Sequence, residues 1–284
     1  MELRPTRAAD VPQLHDIFSE AIRSVYEPHA FAAPSPPLDV FASQQRHLLA
    51  HDGERCFVAE DDDGLVAFAS AWARGDAWFL ASLFVRPDAQ SHGVGHALLD
   101  AVWGDFRHRR TLTDAIQPVS NALYARYGLA PVTPVLAFDG TPHVRDGTEL
   151  ESDTRETDVA AALRAIDETA YGFDRAVDHA YWARLARRSV WRRGDELVGY
   201  SYAFPNGPIG PVAGRTPADA AAALTAELAR APGDVIVRVP GSSRALVGAV
   251  LAAGLRLGPT PGLLLLGPGV EAPTSLAIGS YTLL

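Results

Sequence analysis

A glycine-bearing loop between an apolar strand and an apolar helix is the most constraining feature of this sequence. Residues 83–85 have strand character, Gly93 and Gly95 follow, and Leu98 and Leu99 start the apolar face of a helix. Because glycine lacks Cβ, the backbone can turn tightly here and its N–H groups can approach a ligand closely. The unpaired amides of a first helical turn, together with the helix dipole, favour an anion. The loop therefore predicts a site for a pyrophosphate.

Other phosphate-binding loops fit this segment less well. A dinucleotide-binding G-x-G-x-x-G motif needs a third glycine, and Leu98 stands in that place. A P-loop needs a lysine after its last glycine, but all 25 basic residues of the chain are arginine. A plain strand-to-helix turn with no ligand remains the alternative.

Hydrophobic periodicity and turn residues give the order of elements in the first half of the chain. Asp10 is predicted to cap a first helix that carries Pro12 near its start, and a second helix follows a proline-rich loop. Turns at Asp63-Gly64 and Gly75-Asp76 separate three antiparallel strands. A helix, a strand, a helix ending at Gly128 and a last strand complete the order. The pattern predicts a mixed α/β sandwich of roughly 140 residues.

The second half of the chain partly repeats the first. Residues 63–72 are echoed by residues 195–204, and residues 120–129 are echoed by residues 242–255. These echoes favour a duplicated fold, with chance similarity of apolar strands as the alternative. The predicted domains are residues 1–140, a linker at 141–156, a degenerate copy at 157–267 and a tail strand at 268–284.

Composition excludes several classes of partner. The formal net charge of −9 disfavours a nucleic acid, whose phosphates require a basic face. No apolar run reaches the roughly 18 residues that cross a bilayer, and the N-terminus lacks a signal-peptide core. Cys56 is the only cysteine, and His92 and His96 lack the partners of a zinc motif. We therefore expect a cytoplasmic protein with no membrane segment and no metal.

The run Gln90-x-x-Gly93-x-Gly95-x-Ala97 resembles the Q/R-x-x-G-x-G/A signature of the GCN5-related N-acetyltransferases (GNAT). Residues 83–87, residues 3–6 and residues 123–129 also follow the order of that family. The resemblance covers residues 1 to about 140. It extends to residues 157–267 only as a degenerate copy. It implies an α/β (mixed α+β) fold of two tandem GNAT-like domains, each a mostly antiparallel central sheet flanked by helices.

The same resemblance assigns residues to an acetyl-CoA site. The main chain at the end of the strand before the loop would bind the pantetheine arm of CoA; these residues are Leu83, Phe84 and Val85. The loop amides would hold the pyrophosphate; these residues are Gln90, Ser91, His92, Gly93, Val94, Gly95, His96 and Ala97. Tyr124 stands where the family often has the catalytic acid that protonates the departing thiolate. A core aromatic residue is the alternative for Tyr124.

The acceptor pocket and the general base are less well marked. Tyr26, Glu27 and His29 lie where the family builds its acceptor pocket, although plain surface is the alternative. Many members carry a glutamate on the central strand, but residues 78–82 here contain no carboxylate. The base therefore comes from Glu20, Glu27 or His29, acts through water, or is not needed. A second departure is Gln117, which stands where the family commonly has asparagine.

These observations predict an acetyl-CoA-dependent N-acetyltransferase that acts on a small-molecule amine by direct transfer, as a monomer or homodimer. The copy in the second half has no G-x-G at residues 212–217, and Val250 stands in the place of Tyr124. The cofactor is therefore expected in the N-terminal half only. The alternative is a catalytically decayed sensor of acyl-CoA or of a metabolite on the same fold. Transfer to a protein N-terminus, or of another acyl group, stays open.

Overall fold

A computed structural model describes residues 1–144, 149–152 and 159–284. The described chain divides into two compact units. The first unit comprises residues 1–111 and 116–129, and the second comprises residues 112–115 and 130–284. The predicted linker at 141–156 and the predicted start of the second domain lie partly outside the described residues. The units divide at residue 129, before the predicted domain boundary at 140, because the strand at residues 130–140 pairs with strands of the second unit.

The first unit is a five-stranded sheet with four helices. Its elements are β1 (Glu2–Pro5), α1 (Val11–Tyr26), α2 (Leu38–Asp52), β2 (Cys56–Asp61), β3 (Gly64–Arg74), β4 (Ala77–Val85), α3 (Val94–Trp103), β5 (His108–Asp114) and α4 (Pro118–Arg126). The last three residues of β5, 112–114, are counted with the second unit. The strand order is β1-β2-β3-β4-β5, and only the β4–β5 pair is parallel. The expected order of elements is therefore present in this unit.

Helix α1 packs its apolar face on α2 and on the sheet. Val11, Leu14 and Ile17 recur at helical spacing and are buried against Phe41 of α2 and Phe68 of β3. The apolar residues of α1 recur at helical spacing because they form the one face of the helix that is buried.

The predicted capping role of Asp10 is wrong in its detail. Asp10 ends a short 3-10 turn that precedes α1, and its side chain makes no cap hydrogen bond to that helix. The carboxylate instead accepts hydrogen bonds from the N–H of Arg7 at 2.7 Å and from the guanidinium of Arg4 at 2.8 Å. Asp10 thus fixes the chain between β1 and α1.

The second unit is built on a longer sheet. Its elements are β6 (Ala130–Gly140), β7 (Glu151–Ser152), α5 (Val159–Ala170), α6 (Ala176–Trp182), β8 (Arg187–Arg193), β9 (Glu196–Ala203), β10 (Pro208–Gly214), α7 (Pro217–Leu228), β11 (Val235–Pro240), α8 (Arg244–Ala252), β12 (Arg256–Leu257), β13 (Gly262–Leu266) and β14 (Leu276–Ala277). The strand order is β13-β6-β11-β10-β9-β8-β7, with β12 on β6 and β14 on β10. The predicted tail strand is present only as the two residues of β14.

Strand register supports the duplication. Leu83 of β4 pairs with Ala69 of β3, and Val212 of β10 pairs with Ser201 of β9, at positions that the sequence echo makes equivalent. Both hairpins contain one register shift at the same place, which leaves one extra residue on the later strand: Ala81 in β4 and one residue of the pair 210–211 in β10. Chance similarity of apolar sequence does not explain a shared bulge.

Helices α4 and α8 also end alike. Gly128 and Gly254 have φ angles of 80° and 81°, and each follows its helix directly before a leucine. The next N–H, of Leu129 or Leu255, donates to the carbonyl oxygen of Tyr124 or Val250 at 3.0 and 3.1 Å. These are the bonds of a left-handed C-terminal cap that glycine makes possible.

Within the described ranges, no helix is both long enough and apolar enough to span a bilayer.

Asp52 ties the end of α2 to the end of β3, and we expect Asp52→Ala to destabilise the first unit. Its buried carboxylate accepts hydrogen bonds from the N–H of Ala73 at 2.9 Å and from Nη1 of Arg74 at 3.0 Å. Removing one partner of a buried pair leaves the other charge uncompensated, which costs about 3–5 kcal/mol. The free energy of unfolding in urea should fall by about that amount.

The matched control for Asp52→Ala is Asp62→Ala, in the exposed hairpin turn between β2 and β3. This change should alter the free energy of unfolding by no more than about 0.5 kcal/mol. Equal losses for the two variants would contradict the anchoring role of Asp52.

Candidate functional site

The pairing of β4 with β5 ends in the middle of β4. The last parallel pair is Leu80 with Thr111, and the hydroxyl of Thr111 donates to the carbonyl oxygen of Leu80 at 3.1 Å. The bulge at Ala81 follows directly. Beyond it, residues 82–85 pair with β3 on one edge, and no described strand pairs with their other edge. The bulge and the divergence of the two strands therefore leave an open main-chain edge.

The hydrogen-bonding groups of Leu83 and Val85 point to that open edge. The N–H of Arg86 donates to the carbonyl oxygen of Val66, which fixes the alternation of the β3–β4 ladder. By that alternation the main-chain N–H and C=O groups of Phe84 bond to β3, whereas those of Leu83 and Val85 face away from β3. The side-chain amide of Gln90 donates to the carbonyl oxygen of Val85 at 3.2 Å, on the outward side. The edge can thus pair with an extended ligand that carries amide groups.

The loop after β4 delivers free N–H groups to the same place. Gly93 has a φ of 80° and precedes the first residue of α3. The N–H of Ala97 donates to the carbonyl oxygen of Gly93 at 3.0 Å. In the described part of the chain, the N–H groups of Val94, Gly95 and His96 have no acceptor. They form the positive end of the α3 dipole, which favours an anion.

Gly95 lies at the junction of β4, α3 and α4. A Cβ on Gly95 would lie 3.6 Å from Cδ2 of Leu123 and 3.9 Å from Cγ2 of Val85. The end of the open strand, the first turn of α3 and the middle of α4 therefore meet here. The structure brings the predicted residues 83–85 and 90–97 together, with α4 beside them.

Tyr124 follows Leu123 on α4 and is only 4% exposed. Burial raises the pKa of its phenol above the ordinary value, and a hydrogen bond with Ser120 opposes that rise. The phenol is therefore protonated at neutral pH, so it can donate a proton but cannot act as a base. Its depth in the unit is equally compatible with a packing role.

Tyr127 forms a second polar cluster on the exposed side of α3. Its hydroxyl donates to Oδ1 of Asp100 at 2.6 Å and lies 3.4 Å from Nδ1 of His96. Burial and the Asp100 carboxylate raise the pKa of Tyr127 to about 12. This cluster is not visible in the sequence, because His96 and Asp100 lie on α3 whereas Tyr127 follows α4. His92 stays exposed in the loop, and no three metal-binding side chains converge anywhere in the described ranges.

A groove of about 360 Å³ lies between the last turns of α1 and the residues that follow β4. It is lined by Glu20, Arg23, Ser24, Glu27, Arg86, Pro87 and Asp88. Of the predicted acceptor residues, Glu27 lines the groove, Tyr26 is buried, and His29 is exposed beside Phe31. The sequence had not singled out Arg86 and Asp88, which form an ion pair at 2.8 Å. Periodicity does not reveal such a groove, because only packing places α1 beside this loop.

The centre of β4 contains no carboxylate. Trp78, Phe79 and Leu80 are buried, and the indole N–H of Trp78 donates to the carbonyl oxygen of Val102 at 2.9 Å. The centre of β4 therefore offers no general base, and any such group must come from another element.

The corresponding turn of the second unit is closed. Thr216 accepts the N–H of Asp219 at 3.1 Å as an N-cap of α7. A Cβ on Gly214 would lie 2.3 Å from the backbone nitrogen of Ala220, so the strand runs directly against the helix. Among the described residues of this turn, no loop comparable to residues 90–93 separates strand from helix. Only residues 215 and 216 separate β10 from α7.

Comparisons with known proteins bear on both units. Residues 52–128 match the family model described as Acetyltransferase (GNAT) domain. No curated protein matches the chain.

Three solved structures resemble the chain over nearly its whole length. A protein assigned as an acetyltransferase from Pyrococcus horikoshii has a TM-score of 0.75 at 18% identity, over 100% of this chain and 95% of its own. A GCN5-related N-acetyltransferase from Sphaerobacter thermophilus has a TM-score of 0.65 at 17% identity, over 95% and 97%. A tandem GNAT protein from the clavulanic acid biosynthesis pathway has a TM-score of 0.59 at 15% identity, over 95% and 99%. At these identities the likeness establishes the fold.

The two loop glycines should respond differently to alanine. Gly93→Ala places a side chain at a φ of 80°, which costs about 1 kcal/mol or more. Gly95 lies inside α3 and has room for a methyl group, so Gly95→Ala should stabilise by about 0.5–1 kcal/mol. Urea unfolding of the two variants measures the difference. A loss of stability for Gly95→Ala equal to that for Gly93→Ala would contradict the described conformation of the loop.

Proposed function

We propose that this chain, which carries a GNAT acetyltransferase domain at residues 52–128 within a tandem GNAT fold, is an acetyl-CoA-dependent N-acetyltransferase of small-molecule amines. The single observation that carries the proposal is the junction of an open strand edge with a set of free helix-start amides. The amides of Val94, Gly95 and His96 offer hydrogen bonds to an anion. The edge at residues 83–85 offers a ladder to an extended chain.

Coenzyme A has the chemistry that fits both parts of this site. Its pyrophosphate is an anion that helix-start amides bind, and its pantetheine arm is an extended chain with two amide groups. Residues 83–85 would pair with the arm, and the loop from Gln90 to Ala97 would hold the pyrophosphate. The site needs no lysine and no metal for this, because the backbone supplies the donors.

The proposal places the cofactor in the first unit only. The turn before α7 is closed by the approach of Gly214 to Ala220, and it has no glycine-bearing loop. Val250 takes the place of Tyr124 in the equivalent helix, so the second unit also lacks the phenol. The second unit would not repeat this chemistry.

In the proposed reaction the acceptor reacts directly with the thioester. The neutral amine nitrogen attacks the carbonyl carbon, and the C–N bond forms as the carbonyl oxygen becomes an oxyanion. Main-chain N–H groups stabilise that oxyanion. The C–S bond then breaks, Tyr124 donates a proton to the departing thiolate, and the surplus amine proton leaves to the groove or to water.

The groove between α1 and the end of β4 is the proposed acceptor site. Glu20 and Glu27 provide carboxylates that attract a cationic amine, and Glu27 belongs to the predicted acceptor residues. Both are also candidates to receive the amine proton, directly or through water.

Calorimetric titration tests the cofactor site. The wild-type protein should bind one equivalent of acetyl-CoA. Gly95→Val places two methyl groups toward Leu123 and Val85 and should weaken binding by about 100-fold, since several charge-assisted hydrogen bonds of roughly 1.5–3 kcal/mol each depend on this turn. The matched control is Gly248→Val on α8, where a side chain meets open space. Absence of heat from wild-type protein with both CoA and acetyl-CoA would refute the proposal.

Thiol release from acetyl-CoA with a panel of amines tests the reaction. Tyr124→Phe keeps the ring and removes the proton donor, so kcat should fall by about 10²–10⁴-fold with little change in KM for acetyl-CoA. Tyr127→Phe is the control, because its hydroxyl is bonded to Asp100 on the outer side of α3. An unchanged kcat for Tyr124→Phe would assign that residue to packing. Tight binding of acetyl-CoA with no turnover on any amine would favour the sensor function instead.

A further inference from the structure

A short segment of the second unit lies between β10 and β11. The two strands pair in parallel only at Pro208 with Ile236 and at Ile209 with Val237. Beyond these pairs the strands diverge, as β4 and β5 do in the first unit. We call the space between their diverging ends the β10–β11 cleft. Residues 275–278 fill it.

The segment bonds to both walls of the β10–β11 cleft. On one wall, Ala277 pairs with Val212, and the N–H of Gly214 donates to the carbonyl oxygen of Ser275 at 3.1 Å. On the other wall, the N–H of Ile278 donates to the carbonyl oxygen of Arg238 at 2.9 Å. Strand β9 occupies the far edge of β10, so the segment lies on the edge that faces β11.

The residues that hold the segment are the counterparts of the open edge in the first unit. The shared strand register and the shared bulge make residues 212–214 equivalent to residues 83–85. In the first unit these main-chain groups are the ones proposed to pair with the pantetheine arm. In the second unit the same positions already pair with a peptide.

We propose that the second unit retains this cleft as a binding site for an extended chain, and that residues 275–278 of the same protein are its permanent occupant. The occupant takes the place of an extended ligand and supplies the hydrogen bonds that the diverging strands would otherwise lack. The second unit is therefore a closed, self-liganded version of the fold. This holds whether or not the first unit binds coenzyme A.

One residue of the bulge is adapted to the occupant. A Cβ on Gly210 would lie 2.3 Å from the carbonyl oxygen of Ile278, so a side chain at this position would collide with the segment. The equivalent residue of the first unit is Ala81, which has its methyl group. The sequence thus differs between the two units at the point where one cleft is filled and the other is open.

The segment is also anchored on either side of the cleft. The hydroxyl of Ser242 donates to the carbonyl oxygen of Pro273 at 2.6 Å. Farther along, Nη2 of Arg175 donates to the main-chain oxygens of Leu283 and Leu284. The guanidinium is fully buried, and its carbon lies 4.1 Å from the ring centroid of Tyr171. These contacts make the segment an integral part of the unit, not a displaceable lid.

Amide hydrogen exchange at single-residue resolution tests the proposal in the full-length protein. In the wild type without ligand, the N–H of Gly214 should exchange slowly, because Ser275 accepts it. The N–H of Val85, its counterpart on the open edge, should exchange rapidly. Slow exchange at both positions, or rapid exchange at Gly214, would overturn the proposal.

Two variants at Ile278 separate hydrogen bonding from packing. Ile278→Ala keeps the N–H that bonds to Arg238 and loses apolar contacts, whereas Ile278→Pro loses the N–H as well. The exchange of Gly214 should be about tenfold faster in Ile278→Pro than in Ile278→Ala, which corresponds to the loss of one hydrogen bond. Equal exchange rates in the two variants would contradict the pairing of the segment with the walls.

Coenzyme binding gives a readout that separates this proposal from the proposed function. Addition of CoA should slow the exchange of Val85 and leave that of Gly214 unchanged. If no coenzyme binds, the proposed function fails, but the protection of Gly214 in the wild type is still expected. A change at Gly214 caused by CoA would show that the segment is displaceable and would overturn the permanent occupancy.

Discussion

The divergence of two parallel strands after a bulge is the constraint on which both units depend. In the first unit the bulge at Ala81 ends the pairing of β4 with β5 and exposes main-chain donors and acceptors. Buried or half-buried backbone groups must find partners, so such an edge is stable only if a ligand, water or another chain pairs with it. The first unit leaves the edge open beside a helix start. The second unit fills it with its own segment.

The same pair of diverging strands therefore has an open edge in the first unit and a filled edge in the second. The open edge continues into a loop with Gly93 and Gly95, whose conformation presents free amides to an anion. The filled edge continues into a tight turn at Gly214, where the strand runs directly against the backbone of α7.

The position of Tyr124 illustrates how far a sequence motif determines a role. The motif places the phenol on α4, and packing places α4 against the first turn of α3 through Leu123 and Gly95. Burial raises the pKa of the phenol and keeps the proton on it. A buried, protonated phenol on the helix that packs against the first turn of α3 follows from these facts together. The same burial explains why the tyrosine also contributes to the core.

Local chemistry was readable from the sequence alone. The loop at residues 90–97, the order of elements in the first half and the echo between the halves all follow from residues that are close in the chain. A glycine can expose a main-chain amide without a distant partner. The spacing of apolar residues along one helix is likewise visible within a short stretch of sequence. Capping by Asp10 was misread, because Arg4 and Arg7 compete for its carboxylate once β1 is in place.

Pairing between distant residues was decided only by the tertiary structure. Three pairings join parts of the chain that lie far apart in sequence: β4 with β5, β6 with β11 and β13, and residues 275–278 with β10 and β11. Nothing in the local pattern of residues 275–278 distinguishes a strand that fills a cleft from any other short apolar run. The physical reason is that a strand is stabilised by its partners, which the sequence does not name.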